Sequence, residues 1–275
     1  ASVNEQIARA TGNGQTPNDL LDQRDQIIRE INQYVQTTQI PADDGTVGLF
    51  VGGSQPLVLG TTATTVSIAD SSTFPASGQL KLLFNRPGSP SIELDENTLG
   101  GGSVTGLLKF NNTDLAEGRN LLGRMAMAIG MTLNEQQNQG LTLDGQLGKD
   151  LFALPTSMPG TTNGTAVGNV TFTDATQFAA SDYEIRFTTP PAGQVVRLSD
   201  GKATAFTNAA NLASQQIDGL TFNLTATGAA GERMLFKPFS TAAANMQALV
   251  YSPRDLAAAN PVNAAMGTSN AGTLQ

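Results

Sequence analysis

The sequence predicts a multi-domain α+β protein, in which a helical rod or bundle segment carries β-rich antiparallel insertions and a β-rich outer domain. Two helical runs and many strand-like runs predict it. Apolar residues recur at 20/21, 27/28, 31 and 34/35, one face of a helix. A second long run begins near Asp114 and ends near Asn138. Between and beyond these runs lie short alternating segments separated by Gly, Ser and Pro, the pattern of antiparallel sheets.

Residues 1–38 read as a short helical piece, a break at Gly12-Asn13-Gly14, and the first long helix. Thr16 is placed to cap that helix, Pro17 suits its first position, and Asp19 lies near its positive end. At about 100° per residue, Leu20, Leu21, Ile27, Ile28, Ile31, Tyr34 and Val35 fall within an arc of roughly 140°. Arg24 falls in the same arc. A guanidinium there calls for a carboxylate or carbonyl partner from another helix. Pro41 and Asp43-Asp44-Gly45 end the helix and start a turn. Strand-like runs follow at Thr46–Val51, Leu57–Leu59, Thr64–Ile68, Leu80–Phe84 and Ser91–Leu94, and Gly100-Gly101-Gly102-Ser103 returns the chain to helix.

Asp114 with Glu117 three residues on reads as a capping box for the second long helix. Leu115, Leu122, Ala126, Ile129 and Leu133 form one stripe, Met127 and Met131 point to nearly the opposite side, and Leu121 lies beyond them. This helix is apolar on more than one side, so it needs neighbours that residues 1–38 alone do not supply. Either the β units cover it, or further bundle helices do.

From residue 150 the pattern is β: Val167–Thr173, Tyr183–Thr188, Gln194–Leu198, Ala203–Thr207, Leu220–Thr225 and Arg233–Phe236, with turn dipeptides Asp200-Gly201 and Asp218-Gly219. The Ala- and Asn-rich tail from Ser240, with Pro253 and Pro261, looks like a return path toward a helix. The expected partition is therefore a helical bundle segment at 1–39 and 97–148, a small antiparallel β insertion at 40–96, a β-rich outer domain at 149–251, and a return segment at 252–275.

Charged residues make up only 14% of the chain, far below the usual quarter, and Thr, Gly, Asn, Gln, Ser and Ala fill the gap. That is the composition of a β-rich, extracellular-type surface. A net charge of −8 without any Lys/Arg cluster argues against nucleic acid and anionic membranes. The absence of Cys and His removes disulfides, thiolate sites, the usual general base and the commonest metal ligand. No run approaches the length of a membrane-spanning helix, and the polar start does not read as a signal peptide.

Motifs that might carry chemistry fail on their details. Gly101–Gly106 has phosphate-loop spacing, but Leu107 and Leu108 stand where Lys and Ser or Thr are required. The adjacent pairs Asp43-Asp44 and Asp95-Glu96 neither oppose each other across a sugar nor follow a calcium-loop pattern. Asp25 and Arg29 are an i,i+4 surface pair. Asn-x-Thr triplets at Asn111, Asn163, Asn169 and Asn223 are what chance provides in a chain this rich in Asn and Thr. No catalytic, cofactor or metal residue is expected.

The stretch from Thr16 through Val35, TPNDLLDQRDQIIREINQYV, resembles the FlgK family of flagellar hook-associated proteins. Two further blocks stand in that family's order. One is Gly106-Leu107-Leu108-Lys109-Phe110 leading to Gly140-Leu141-Thr142-Leu143-Asp144-Gly145; the other is Asp218-Gly219-Leu220-Thr221-Phe222 with Gly231-Glu232-Arg233 and Phe236-Lys237-Pro238. The family usually has an acidic residue where Arg233 stands, so no hairpin salt link carries over there.

The resemblance implies a structural subunit joining hook to filament through ring-forming packing, exported through the flagellar type III apparatus and located outside the cell in the flagellum. It implies bundle helices outside this segment, and so favours the second reading of the two-sided helix. Packing then falls to Leu20, Leu21, Arg24, Ile27, Ile28 and Ile31 in the first helix, and to Leu122, Met127, Ile129 and Met131 in the second. Implied partners are other copies of the chain, hook protein, a second junction protein and an export chaperone acting through a terminal segment absent here. No cofactor, nucleic acid or membrane is implied, and this segment alone is expected to be a monomer. The alternative is a β-rich extracellular adhesin or phage-tail-like binding module. An aromatic content of 5% with no Trp counts against a sugar-binding platform.

Overall fold

The computed structural model of the chain describes residues 1–14, 16–86 and 88–259. Residues 260–275 of the expected return segment, Pro261 among them, lie outside the described residues. The fold is α+β, in two compact units, Ala1–Leu115 and Ala116–Gln275.

The first unit opens with helices α1 (Ser2–Gly12) and α2 (Asn18–Tyr34). Strands β1 (Thr38–Pro41), β2 (Val47–Val51), β3 (Gln55–Leu59) and β4 (Thr62–Ala63) form a four-stranded antiparallel sheet in that order. Strands β5 (Thr65–Asp70), β6 (Leu80–Asn85) and β7 (Ile92–Leu94) form a second, three-stranded one. Alternation along β2 turns Val47, Leu49 and Val51 inward. Val47 and Leu49 pack with Ile28 of α2, while Val51 joins Leu82, Phe84, Leu94 and Leu99 in a second cluster.

Helix α3 (Ser103–Lys109) then starts where Gly102, at φ 104°, approaches the end of α2 so closely that a Cβ would lie 2.4 Å from the Tyr34 carbonyl oxygen. Only glycine fits there. A π-helical turn, Phe110–Asp114, joins α3 to α4 (Leu115–Asn138) without a break. Asn112 pins this turn to the start of β6. Its Oδ1 accepts from the Leu80 N–H at 2.9 Å, and its Nδ2 donates to the Leu80 carbonyl oxygen at 2.8 Å.

In the second unit, α4 is followed by β8 (Phe152–Ala153), β9 (Ser157–Pro159), β10 (Val167–Phe172), β11 (Tyr183–Thr189), β12 (Ala192–Arg197) and β13 (Ala203–Phe206). Helix α5 (Ala209–Ser214), β14 (Leu220–Ala226), β15 (Arg233–Phe236), α6 (Ala242–Asn245) and β16 (Gln247–Ala248) complete it. One sheet runs β14-β10-β9, another β13-β12-β11-β15, and β16 pairs with β8. Phe222 of the first sheet meets Tyr183 and Phe236 of the second, with ring centroids 5.4 and 5.3 Å apart. These edge-on contacts mark the centre of the unit's core. Asp218 and Gly219, both at positive φ (51° and 74°), make the two-residue turn into β14. The Asp218 carboxylate accepts from the Tyr183 hydroxyl at 2.8 Å and from Arg197 at 2.9 Å.

Three local expectations are corrected. Thr16 does not cap α2 with its side chain: the Asn18 N–H instead reaches the Thr16 carbonyl oxygen, and Pro17 precedes the first helical residue. Asp114 does not open a helix, because the π turn carries the backbone ladder through it and the Leu115 N–H bonds to the Phe110 carbonyl oxygen. Pro41 does not end the helix, which stops at Tyr34; it ends β1, an edge strand where a missing N–H costs no ladder bond, and the expected turn follows at once, with the Gly45 N–H on the Ala42 carbonyl oxygen.

Candidate assembly interface

Helix α2 holds its side chains at several depths. Ile28 is buried, and Ile31 packs against the same cluster. Leu20 and Leu21 are half-buried, and Ile27 is exposed. Arg24 does not reach another helix, contrary to expectation. Its Nη1 donates to the Gly45 carbonyl oxygen at 3.2 Å, and Nε and Nη2 donate to Asp25 Oδ1 at 3.2 and 3.1 Å. The turn before β2 presents that carbonyl within guanidinium reach, so the charge sets a helix–turn contact inside one unit.

Helix α4 has two unlike faces. The buried one is the row Asn120, Gly123, Met127, Gly130, Asn134 and Gln137, spaced alternately by three and four. The following chain comes close over the glycines, by its backbone at Gly123 and by the Leu154 side chain at Gly130. A Cβ at position 123 would lie 1.9 Å from the Phe239 carbonyl oxygen, and one at 130 would lie 2.8 Å from Leu154. Two of the polar members, Asn134 and Gln137, are spent on backbone. Asn134 Oδ1 accepts from the Leu151 and Phe152 N–H groups at 2.8 and 2.9 Å, while its Nδ2 donates to the Phe152 carbonyl oxygen at 2.8 Å. Gln137 donates to the Asp255 carbonyl oxygen at 2.7 Å and accepts from the Ala257 N–H at 3.1 Å. Asn120 donates to Asp182 Oδ1 at 2.9 Å, and its own Oδ1 is buried without a partner. Burial pushes the Asp182 carboxyl up, against the pull of the Lys237 charge and the Asn120 donor.

The Met face is thus corrected. Met127 is wholly buried in the core of its own β-rich unit, and Met131 packs against that core, so the β elements cover this side. The opposite face stays open: Leu122 is 60% exposed, Met125 57% and Ile129 48%, with Leu121 and Leu133 also exposed. Reading along α4, 115, 122 and 129 recur every seven residues and 118 and 125 stand between them, the spacing of a helix-packing seam. The sequence reading missed Met125. It also missed the buried row of small and polar residues, whose three-and-four spacing was visible but not apolar.

The carboxylates do not converge. Asp44 is occupied by the N–H and hydroxyl of Thr46, at 2.9 and 2.7 Å. Lys81 bridges Asp95 and Glu96 at 2.9 and 3.0 Å. Asp19, Asp22, Gln23, Asp25, Gln26 and Arg29 line a shallow, open surface depression on α2. Among the described residues no group of three or more acidic, His or Cys side chains is placed to hold a metal ion, and no helix is long and apolar enough to cross a membrane. Arg233 Nε donates to the buried Glu184 at 2.6 Å, and Arg186 shares that carboxylate.

These features define an α+β protein with an exposed apolar face on its longest helix. Comparison with known proteins gives the family. Residues 1–152 match the flagellar hook-associated protein FlgK helical domain, and residues 158–238 match the D2-like domain of flagellar hook-associated protein 1. The chain is 35% identical over 269 residues to flagellar hook-associated protein 1 of Escherichia coli, covering 96% of this chain and 48% of that protein. It is 34% identical over 266 residues to the Salmonella typhimurium protein of the same name, covering 94% and 47%. The solved structure of the flagellar hook junction protein FlgK from Burkholderia pseudomallei superposes with a TM-score of 0.82 at 28% identity, over 94% of this chain and 47% of that one. The chain belongs to the FlgK family of flagellar hook-associated proteins. It spans about half the length of the relatives it matches.

Proposed function

We propose that this chain is a structural, non-enzymatic part of a flagellar hook–filament junction subunit, outside the cell, acting by packing against copies of itself and against neighbouring axial proteins. The observation that carries the reading is the open seam Leu122, Met125, Ile129 and Leu133 on a helix whose other face is already buried in its own unit. Large apolar side chains in a row on an otherwise closed helix mark a surface that another element covers. In the proposed partition, 1–39 and 97–148 lie toward the assembly axis, 40–96 and 149–251 face outward, and 252–275 returns toward the bundle. Leu20, Leu21 and Ile27 of α2 extend the packing surface; Met127 and Met131 serve it indirectly, by fixing α4. Hook protein, a second junction protein and an export chaperone are the further partners of this reading. In this reading the segment alone stays a monomer.

The test uses the full-length protein in its own bacterium, with Leu122→Glu and Ile129→Glu together. Both side chains are exposed here, so the isolated segment should melt as the parent does. Electron microscopy should show hooks without filaments, with flagellin released to the medium. Normal filaments on cells carrying the double variant would overturn the reading.

A further inference from the structure

Among the triplets dismissed as chance, Asn163-Gly164-Thr165 sits in a structural setting the assembly reading does not use. The turn before β10 wraps around the Glu232 carboxylate. Glu232 Oε1 accepts from the Ala166 N–H at 2.7 Å, and Oε2 accepts from the Ala229 N–H at 3.0 Å and the Thr165 hydroxyl at 3.2 Å. Glycine is required at 164, because a Cβ there would lie 2.1 Å from the Glu232 carboxyl carbon, whose oxygens are held from several sides. The Asn163 side chain is exposed and makes no hydrogen bond among the described residues.

The Gly164 N–H donates to the Thr162 hydroxyl oxygen at 3.1 Å. That hydroxyl has one proton and two acceptors in reach, the Arg233 carbonyl oxygen at 2.8 Å and Glu232 Oε1 at 3.3 Å. When it turns to Glu232, a path runs from the amide through a hydroxyl to a carboxylate. The chain's other Asn-Gly pair lacks this path: the Gly14 N–H donates at 2.9 Å to the Thr11 carbonyl oxygen, which has no proton to pass on.

We propose that Asn163 is a site of self-modification, at which Thr162 and Glu232 assist closure of a cyclic imide between the Asn163 side chain and the Gly164 backbone nitrogen. The Gly164 nitrogen gives its proton to Thr162 as Thr162 gives its own to Glu232, and the nitrogen bonds to Asn163 Cγ. The Cγ–Nδ2 bond then breaks, and nitrogen leaves as ammonia with the proton returned from Glu232. Water opens the imide at either carbonyl, leaving aspartate or isoaspartate at position 163. Burial raises the Glu232 carboxyl, but the Ala166, Ala229 and Thr165 donors outweigh it and hold it at about 2, so it is a charged but weak base. The assistance is accordingly set at about tenfold, below the range of a base tuned to neutral pH. The product adds a negative charge, and in part an extra backbone methylene, beside the Glu232 carboxylate.

The experiment incubates the folded chain at neutral pH and follows both Asn-Gly sites in one sample by peptide mass mapping. Asn163 should convert about tenfold faster than Asn13. Thr162→Val should abolish that difference and Thr162→Ser should keep it, with the melt of each variant recorded alongside. If Thr162→Val does not fold, Glu232→Gln removes the same path. Asn163 converting no faster than Asn13 in the parent chain overturns the proposal, as does a difference that survives Thr162→Val in a folded protein.

Discussion

The two faces of α4 invert the usual rule that large apolar residues go inside and small or polar ones outside. The buried face carries Asn120, Gly123, Gly130, Asn134 and Gln137 around a single Met127, while Leu121, Leu122, Met125, Ile129 and Leu133 remain exposed. Close approach accounts for the first face. Chain backbone lies almost against the helix at Gly123, which leaves no room for larger side chains. The approaching backbone must be hydrogen-bonded, and Asn134 and Gln137 do that. The second face is bulky, as the packing role proposed for it requires. On this helix small residues therefore mark the face packed within its own unit, and large apolar ones mark the face left exposed.

Truncation separates the faces most sharply. Met127→Ala leaves a cavity in a core closed on all sides and should cost about 2–5 kcal/mol in denaturant unfolding. Met125→Ala, two residues earlier, should change stability by less than about 0.5 kcal/mol. Equal losses at the two positions would mean that the faces do not differ in the way described.

The next effect tests the polarity of the closed face. Asp182 binds its proton more tightly folded than unfolded, because burial raises it above the ordinary 3.8. Its contribution therefore favours folding at low pH and is lost as the pH rises from that value through the folded one. Asp182→Asn removes that slope and offers a donor to the orphaned Asn120 Oδ1. The variant should gain on the order of 1 kcal/mol over the parent at neutral pH, shrinking toward acid pH. A loss at neutral pH would show that the charge facing Lys237 matters more than its burial.

Features set by local residue patterns are legible in this sequence, and those set by distant contacts are not. Arg233–Phe236 was placed to the residue and Tyr183–Thr189 to within one, because period-two alternation and turn dipeptides such as Asp218-Gly219 are local signals. The open seam was half legible: Leu122 and Ile129 follow from helical spacing, whereas which side of α4 the β-rich unit occupies depends on contacts with Leu154 and Phe239, distant in sequence. The π turn at Phe110–Asp114 was hidden, since Asp114 and Glu117 look the same whether they start a helix or lie within one. The Asn163 turn was in view only as a triplet. Its setting depends on Glu232, nearly seventy residues on.

The smallest effect concerns Arg24, where α2 can be compared with the closed face of α4. Both faces satisfy polar groups with backbone, but Arg24 does so near the surface. Its side chain is 18% exposed, and its carboxylate neighbour Asp25 is 53% exposed. An ion pair open to water contributes little, and the bond to the Gly45 carbonyl oxygen is long at 3.2 Å. Most of what Arg24 adds is then its aliphatic stem packed along α2. Arg24→Met keeps that stem and should shift stability by less than about 1 kcal/mol, whereas Arg24→Ala removes it and should cost more than Arg24→Met does. Thermal melts of the pair decide the matter. If Arg24→Met is as damaging as Arg24→Ala, the guanidinium itself holds the turn at Gly45, and α2 relies on its charge as much as α4 relies on Asn134.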